Sequence, residues 1–372
     1  MQLINALTDA HLWAETFDRK LTDIFAVESE IAKTVAETLQ ARLTGSEKHA
    51  IAKTPTVNPE AYELYLKGKF FAEKRTGADL RKSIEYYDQA IAKDSDYPLA
   101  DVGLANSHLL LSVYGALSPK EAASPAKAAL KKALELDDSL AEAHASSGLL
   151  ATLELDLNRA ITELERAIQL NPNNATAHHW IALPLMTMGQ FDRGVAEAKR
   201  AIELDPLSLI INADLCWIYF NGRRFDEAEA QARNTLEMDP RFYVAHFYLG
   251  EALQFQGKLT DGIAEFQKSV ELNNDPFSLA MLGQAYARQG KTDKAREVLA
   301  DLRQQAKQYI SPYAFAIVLT ALGEKTQAID ELGRGYDDGG FYISLIKVDP
   351  LFDDLRGDPR FEALVQKITR GK

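Results

Sequence analysis

The sequence predicts an all-α fold, an α-solenoid superhelix of about eight helix pairs. The first observation is a repeat of 34 residues that occupies 141–174, 175–208, 209–242 and 243–276 without an insertion. The second is a small residue at fixed places of each block. A constant period in this range is typical of stacked helical repeats. Places eight, twenty and twenty-seven hold, in block order, Gly148, Ala182, Cys216, Gly250; Ala160, Gly194, Ala228, Gly262; and Ala167, Ala201, Thr235, Ser269.

Each block is expected to fold as two antiparallel helices. Axes that are about 8–10 Å apart need small side chains at the crossing points, as places eight and twenty provide. Place twenty-seven gives the next unit room to dock. Pro172, Pro206 and Pro240 each come near the end of a block, where proline stops the second helix.

The same pattern continues on both sides of the regular blocks. We expect further repeats at 61–97, 98–140, 276–309 and 310–340, so that the array covers 59–340. In the repeat at 98–140, the stretch from Tyr114 to Pro125 is predicted to be an insertion between the helices.

Residues 341–372 are predicted to be C-terminal capping helices. Asp349-Pro350 and Asp358-Pro359 each place a capping side chain before a proline at the first helical position. Apolar residues such as Phe352 and Phe361 would cover the open end of the last repeat, as solenoids require.

Residues 1–58 have a different character. The stretches Gln2 to Leu7 and His11 to Phe17 are predicted to pair as a short β-hairpin. Residues 22–44 then predict one amphipathic helix, and 45–58 a linker. A lone hairpin is marginal in water. We therefore interpret 1–58 as a partial α/β segment.

These patterns carry two resemblances. The repeat closely resembles the tetratricopeptide repeat (TPR). The opening is similar to a segment of bacterial multidomain signalling proteins, where it ends a small α/β domain just ahead of C-terminal TPRs. Their heads are an adenylate or guanylate cyclase, a kinase or a winged-helix regulator, and no motif of such a head is present here. The matching runs are Gln2-Leu3-Ile4-Asn5-Ala6, His11-Leu12-Trp13-Ala14-Glu15, Asp18-Arg19, Asp23-Ile24-Phe25-Ala26 and Glu30-Ile31-Ala32.

The composition of the chain disfavours several classes of function. The net charge is −12, from 42 Lys and Arg against 54 Asp and Glu, which disfavours nucleic-acid binding. No apolar run is long enough to span a bilayer. Met1-Gln2 is not a basic signal-peptide start, so a cytoplasmic protein is expected. Cys216, the single cysteine, sits at a small-residue place and is interpreted as a buried packing residue.

No catalytic, cofactor-binding or metal-binding residues are predicted, and the chain is expected not to be an enzyme. His144, His178 and His246 all fall at place four of their repeats. A metal needs nitrogen ligands at about 2 Å, whereas successive repeats lie about 8–10 Å apart. We therefore interpret them as packing or hydrogen-bonded core histidines.

Function is then expected from the inner face of the superhelix. A scaffold would hold a protein or peptide partner, or a helix, in this concave groove, with aromatic anchors at its centre. Alternatively, these side chains pack internally, or the chain is the regulatory or oligomerising half of a larger signalling protein. Self-association is also left open. The candidate partner-binding residues are Leu149, His179, Leu183, Met186, Ala213, Trp217, Phe220, Phe247, Glu251 and Gln254.

Overall fold

A computed structural model describes residues 2–5, 10–16, 24–38, 56–114, 116–305 and 309–370. Almost all of the described chain is helical, as the sequence predicts. The α-helices are α1 Ile24–Thr38, α2 Pro59–Ala72, α3 Gly77–Lys93, α4 Pro98–Val113, α5 Pro119–Leu136, α6 Ala141–Leu153, α7 Leu157–Leu170, α8 Ala175–Thr187, α9 Phe191–Leu204, α10 Leu209–Asn221, α11 Phe225–Met238, α12 Tyr243–Phe255, α13 Leu259–Leu272, α14 Pro276–Arg288, α15 Thr292–Gln305, α16 Pro312–Ala321, α17 Lys325–Asp338 and α18 Pro359–Arg370.

Helices α2 to α17 form eight helix pairs, which we number repeats one to eight. Each helix packs against its neighbours in sequence, and the first helix of most repeats also contacts the first helix of the next. The first helices therefore form one continuous inner layer, and the second helices form the outer layer. The predicted all-α solenoid is confirmed.

The helices of a pair approach closely where the repeat places small residues. A Cβ atom added to Gly250 would lie 2.6 Å from the ring of Phe266, and one added to Gly262 would lie 2.9 Å from the Gly250 carbonyl oxygen. Real Cβ atoms do not come this close to their neighbours. The glycines at these crossings are thus required by the spacing between the helices.

The second repeat departs from the sequence interpretation. The predicted insertion from Tyr114 to Pro125 is wrong, because α5 already begins at Pro119 and Pro125 lies inside it. The Ser118 side chain accepts from the Glu121 backbone N–H, and the Glu121 carboxylate accepts from the Ser118 N–H. This reciprocal capping starts the helix ahead of the internal proline.

The N-terminal segment contains the predicted hairpin. Strands β1, Gln2–Asn5, and β2, Ala10–Ala14, pair antiparallel, with an irregularity between Leu3 and Ile4. Helix α1 lies within the predicted range 22–44. Most of the predicted linker, 45–55, lies outside the described residues. Asn58 caps α2 by accepting from the backbone N–H groups of Glu60 and Ala61.

The chain after repeat eight forms two 3₁₀ helices, Tyr342–Leu345 and Pro350–Leu355, followed by α18. Phe352, Leu355 and Phe361 are buried in one apolar cluster with side chains of repeats seven and eight. This part covers the end of the array. We call residues 341–355 the return segment, because it also runs back along the inner layer.

Within the described residues, no helix has both the length and the apolar character needed to cross a membrane.

Candidate binding surfaces on the inner face

The inner layer of the middle repeats is closed in this structure. Of the ten side chains predicted to contact a partner, Phe247 alone is partly exposed. The fully buried Phe220 packs against Phe225 and Phe255 and therefore does not face a groove. The nine buried residues are Leu149, His179, Leu183, Met186, Ala213, Trp217, Phe220, Glu251 and Gln254.

The return segment covers much of this surface. The ring of Phe341 stacks on Trp217 with 5.7 Å between centroids. The neighbouring ring of Tyr342 lies 4.1 Å from that of Phe277 and 5.6 Å from that of Tyr313. One short segment thus joins the first helices of repeats five, seven and eight. Packed aromatic pairs contribute about 0.5–1.5 kcal/mol each beyond the area they bury.

A backbone hydrogen bond also ties the end of repeat eight to repeat three. The N–H of Gly340 donates to the Leu153 carbonyl oxygen at 2.8 Å, at the end of the first helix of repeat three. Gly340 has a φ of 116°, a value that suits glycine because it lacks a Cβ atom. The end of repeat eight is therefore held against the first helix of repeat three.

Three turns between paired helices contain an unusual residue. At place fifteen of a repeat the chain adopts a positive φ, and four repeats use glycine there, namely Gly189, Gly257, Gly290 and Gly323. Repeats one, three and five instead have Arg75, Leu155 and Arg223, with φ of 58°, 63° and 60°. A side chain in this conformation costs of order 1–2 kcal/mol.

Two of these side chains hold the C-terminal part of the chain. Leu155 is fully buried in the cluster that contains the return segment. Arg223 donates two hydrogen bonds of 2.7 Å to the carboxylate of Asp353. Sequence reasoning missed both residues. The signal that could have found them is the loss of glycine at place fifteen.

The buried polar side chains of the inner layer form a network. Asp214 is bonded to the Nε2 of His179 at 2.6 Å and accepts from the Tyr248 hydroxyl at 3.0 Å. His179, predicted as a partner-binding residue, is thus engaged within the protein. Since a buried polar group is costly unless it is hydrogen-bonded, these bonds offset the burial of the three side chains.

Two buried carboxyl groups, Glu251 of repeat six and Asp349 of the return segment, interact electrostatically. Burial, reinforced by the charge of Asp349, raises the pKa of Glu251 well above its ordinary value. Burial raises the pKa of Asp349 to about 6, against the opposing effect of its hydrogen bond to Tyr313. The Oε2 atom of Glu251 has no hydrogen-bond partner among the described residues. A protonated Glu251 avoids a buried pair of like charges.

The place-four histidines are hydrogen-bonded core residues, as the sequence predicts. In repeats three, four and six, the ring Nδ1 lies 2.6–2.7 Å from a glutamate Oε2 on the second helix. The pairs are His144–Glu163, His178–Glu197 and His246–Glu265. Each Nε2 also lies 3.0–3.1 Å from a carbonyl oxygen in the preceding loop. The described part of the chain contains no group of three or more His, Cys, Asp or Glu side chains that could hold a metal.

Repeat five has a neutral version of the same link. Asn212 replaces the histidine, and Gln231, which replaces the glutamate, donates to its Oδ1 at 3.2 Å and its backbone oxygen at 3.1 Å. The loop contact is kept, because the Asn212 amide donates to the Pro206 carbonyl at 3.1 Å. The Asn212–Gln231 pair is therefore an uncharged counterpart with which the His–Glu pairs can be compared.

We expect the His246–Glu265 pair to stabilise the array more at low pH. Burial lowers the pKa of His246, but its hydrogen bonds to Glu265 and the Pro240 carbonyl and the Glu265 charge outweigh that effect, so the net pKa is raised. A raised folded pKa gives stability that is full below the unfolded pKa and lost as the pH rises through the folded pKa.

The test replaces this pair by the one of repeat five, His246→Asn with Glu265→Gln. The advantage of the wild-type protein in urea unfolding should fall by about 1 kcal/mol between pH 5.5 and 8.5. His144 and His178 are present in both proteins, so their contributions cancel. A wild-type advantage that does not change with pH contradicts the prediction.

The described residues leave at least two open surfaces on the inner face. The first is a cleft of about 390 Å³ on repeats one to four, lined by residues such as Tyr65, Lys69, Asn106 and Glu142. The second is a cavity of about 500 Å³ between repeats one and two, repeats five to seven and the return segment. Arg75 lines both. Trp217 and Phe247 are the predicted binding residues that line the cavity.

The repeats match known family models. A TPR repeat model matches residues 156–189, and a tetratricopeptide repeat model matches 214–278 and 253–310. These ranges fall within the part of the array that runs from α7 to the start of repeat eight. The chain therefore contains tetratricopeptide repeats, and this fold supports the role of a protein-interaction scaffold.

Comparison with individual proteins gives partial similarities. The putative adenylate cyclase 3 of Rhizobium meliloti (strain 1021) is 31% identical over 150 residues, which is 40% of this chain and 18% of that protein. The chain therefore spans less than a fifth of the length of this relative. Among solved structures, the type IV pilus biogenesis factor PilW has a TM-score of 0.47 and 19% identity, over 60% of this chain and 98% of that one.

A second solved structure is YrrB, described as a TPR protein with an unusual peptide-binding site. It has a TM-score of 0.34 and 22% identity, over 51% of this chain and 93% of that chain. At this level the likeness concerns the fold alone.

Proposed function

We propose that this chain is a non-catalytic scaffold that binds a short extended segment of a partner protein in the cleft of repeats one to four. The observation that carries this proposal is the cleft itself. It is lined by first helices of four consecutive repeats, and the return segment contributes no residue to it. A groove formed in this way can contact a partner over several residues of its length.

The chemistry of the cleft suits a peptide. Tyr65 and Trp180 provide aromatic surface, while Asn106, Asn171 and Asn173 provide side-chain amides. An amide has both donors and an acceptor, so it can pair with a peptide backbone. The Oδ1 atom of Asn106 is buried and has no partner within the described residues. A donor from a bound segment would satisfy it.

The charged side chains of the cleft would favour one orientation of a bound segment. Lys69 and Glu142 are exposed on the first helices of repeats one and three, so opposite charges line different parts of the cleft. Burial, followed by the charges of Glu142 and Glu73, raises the pKa of Tyr65 to about 12, so its hydroxyl is a donor at neutral pH. A partner with charges of complementary order would be oriented by these groups.

Peptide selection from a random display library on the whole chain tests this proposal. The selected peptide should bind wild-type protein, and Lys69→Ala with Asn106→Ala should weaken its affinity at least about tenfold, as expected for lost hydrogen bonds to a charged and a buried group. Lys131→Ala with Asn158→Ala, on exposed sites of second helices, is the matched control. Equal weakening in both variants, or no selected peptide, contradicts the proposal.

A second candidate function is a regulatory or oligomerising half of a larger signalling protein. The similarity to a protein named as a putative adenylate cyclase favours it, as does the two-stranded hairpin β1–β2, whose strands have no further partner strand in the described chain. The test is the reading frame upstream of Met1. A continuous frame that encodes a signalling head supports this function, and a stop codon directly upstream contradicts it.

A further inference from the structure

The cavity between repeats one and two, repeats five to seven and the return segment has the size and walls of a ligand site. Its volume of about 500 Å³ falls within the range of about 300–1,000 Å³ that is usual for small-molecule pockets. One wall consists of residues 75–81, which are the end of the turn before α3 and the first residues of that helix. The opposite walls come from first helices and the return segment. The aromatic rings that line it include Tyr114, Trp217, Phe247, Tyr248, Phe277 and Tyr342.

Arg75 lies at the cavity, where its guanidinium is within hydrogen-bonding reach of the Tyr114 hydroxyl and still keeps one buried donor without a partner among the described residues. It is one of the three side chains that adopt a positive φ where other repeats use glycine. Leu155 and Arg223, the other two, hold the C-terminal part of the chain. Arg75 instead lines the cavity. Its Nε is buried with no partner among the described residues, and the carboxylate of Glu73 lies 4.0 Å from its Nη2.

The acidic side chains of the cavity are already satisfied. Asp214 is bonded to His179 and Tyr248. Asp275 accepts from the backbone N–H groups of Phe277 and Ser278, and from the Ser278 hydroxyl. Neither carboxylate therefore needs a cation from outside.

The basic side chains are not compensated in the same way. Arg81 donates to the carbonyl oxygens of Gly77 and Ala116, at 3.2 and 3.0 Å. Both acceptors are neutral, and no carboxylate pairs with Arg81 within the described residues. The first turn of α3, which includes Gly77 and Ala78, also lines the cavity. A helix N-terminus favours negative charge, so this wall is electropositive.

We propose that the cavity binds a small molecule that combines an aromatic ring with one oxyanion group, such as a carboxylate, sulfonate or phosphate. The oxyanion pairs with Arg75 and faces the start of α3. The ring lies against Trp217 and Phe247 on the opposite wall. This ligand is separate from the peptide proposed for the cleft of repeats one to four, so either site can exist without the other.

The test compares two fluorescent probes on the whole chain. 8-Anilino-1-naphthalenesulfonate has fused rings and one sulfonate, and N-phenyl-1-naphthylamine has the same rings without the charge. Arg75→Gly should raise the Kd of the sulfonate at least about tenfold, the loss expected for a charged hydrogen-bonded pair. The Kd of the neutral probe should change less than about twofold, because the aromatic wall is intact.

Arg223→Gly is the matched control, since it changes the same place of another repeat. Arg75→Gly removes backbone strain as well as the contacts with Glu73 and Tyr114, so it should change the urea midpoint of unfolding less than Arg223→Gly does. Arg223→Gly loses the contact with Asp353 and should lower that midpoint while leaving the Kd of the sulfonate unchanged. Ala78→Trp, at an exposed position that lines the cavity, should weaken both probes.

Three results would overturn the proposal. They are a sulfonate Kd that Arg75→Gly does not change, an equal loss of both probes in that variant, and sulfonate binding that Ala78→Trp leaves intact.

Discussion

Replacing Phe341 and Tyr342 together by alanine is expected to lower the free energy of unfolding by roughly 5 kcal/mol, the scale of a lost buried phenylalanine with a second aromatic ring. Both rings pack between first helices that are far apart in sequence, against Trp217, Phe277 and Tyr313. Their removal leaves a void that the two surrounding layers of helices cannot fill without moving. Urea unfolding, followed by far-ultraviolet circular dichroism, measures the loss.

A matched control is Phe70→Ala in repeat one. This phenylalanine is 61% exposed, so its removal should change the stability by less than about 1 kcal/mol. Emission from Trp217 should move to longer wavelength in the double variant, because water then reaches the indole. If the double variant is as stable as Phe70→Ala, the return segment does not hold the inner layer together.

The second large effect is expected at the helix crossing of repeat six. Gly262→Ala should lower the stability by about 2 kcal/mol, because the added methyl group would lie 2.9 Å from a backbone oxygen and the helices must separate. Backbone atoms cannot turn aside as a flexible side chain can. Chemical unfolding of the purified variant measures the change.

Gly333→Ala is its matched control, since this glycine also lies within a second helix. Apart from its chain neighbours and the backbone of its own helix, no heavy atom of the described residues lies within 4 Å of a Cβ atom added there. The substitution should raise the stability by about 0.5–1 kcal/mol, because alanine is the better helix former. The same glycine-to-alanine change is therefore expected to lower the stability at Gly262 and to raise it at Gly333. Equal effects at the two glycines would show that place twenty does not require a small residue for packing.

Much of the fold could be predicted because the repeat is a local pattern. Small residues at places eight and twenty, such as Gly250 and Gly262, fix the helix crossings wherever they recur. The place-four histidines could be interpreted as core residues rather than metal ligands from the distance between successive repeats alone. The start of α5 is an exception, because the sequence predicts an insertion up to Pro125, whereas capping by Ser118 and Glu121 begins the helix at Pro119.

The site could be predicted only in part. Trp217 and Phe247 line a cavity on the inner face, whereas the other candidate residues are buried and Trp217 itself is stacked against the return segment. The contact that reveals this cover joins Arg223 and Asp353, which are 130 residues apart. A repeat period contains no information about so distant a partner. The sequence does contain one signal, which is an arginine or leucine at a place where other repeats have glycine. Such a residue indicates a side chain that contacts residues outside its own repeat.

Amide hydrogen exchange of residues 340–349 in the whole chain tests most directly the claim that the return segment lies on the inner face. The structure buries Ile343, Leu345 and Ile346 and hydrogen-bonds Gly340 to Leu153. We therefore expect exchange there as slow as in the first helices of repeats five to seven, and much faster exchange in the Phe341→Ala, Tyr342→Ala variant. Rapid exchange of this segment in the wild-type chain, at the rate of an exposed loop, would contradict the account.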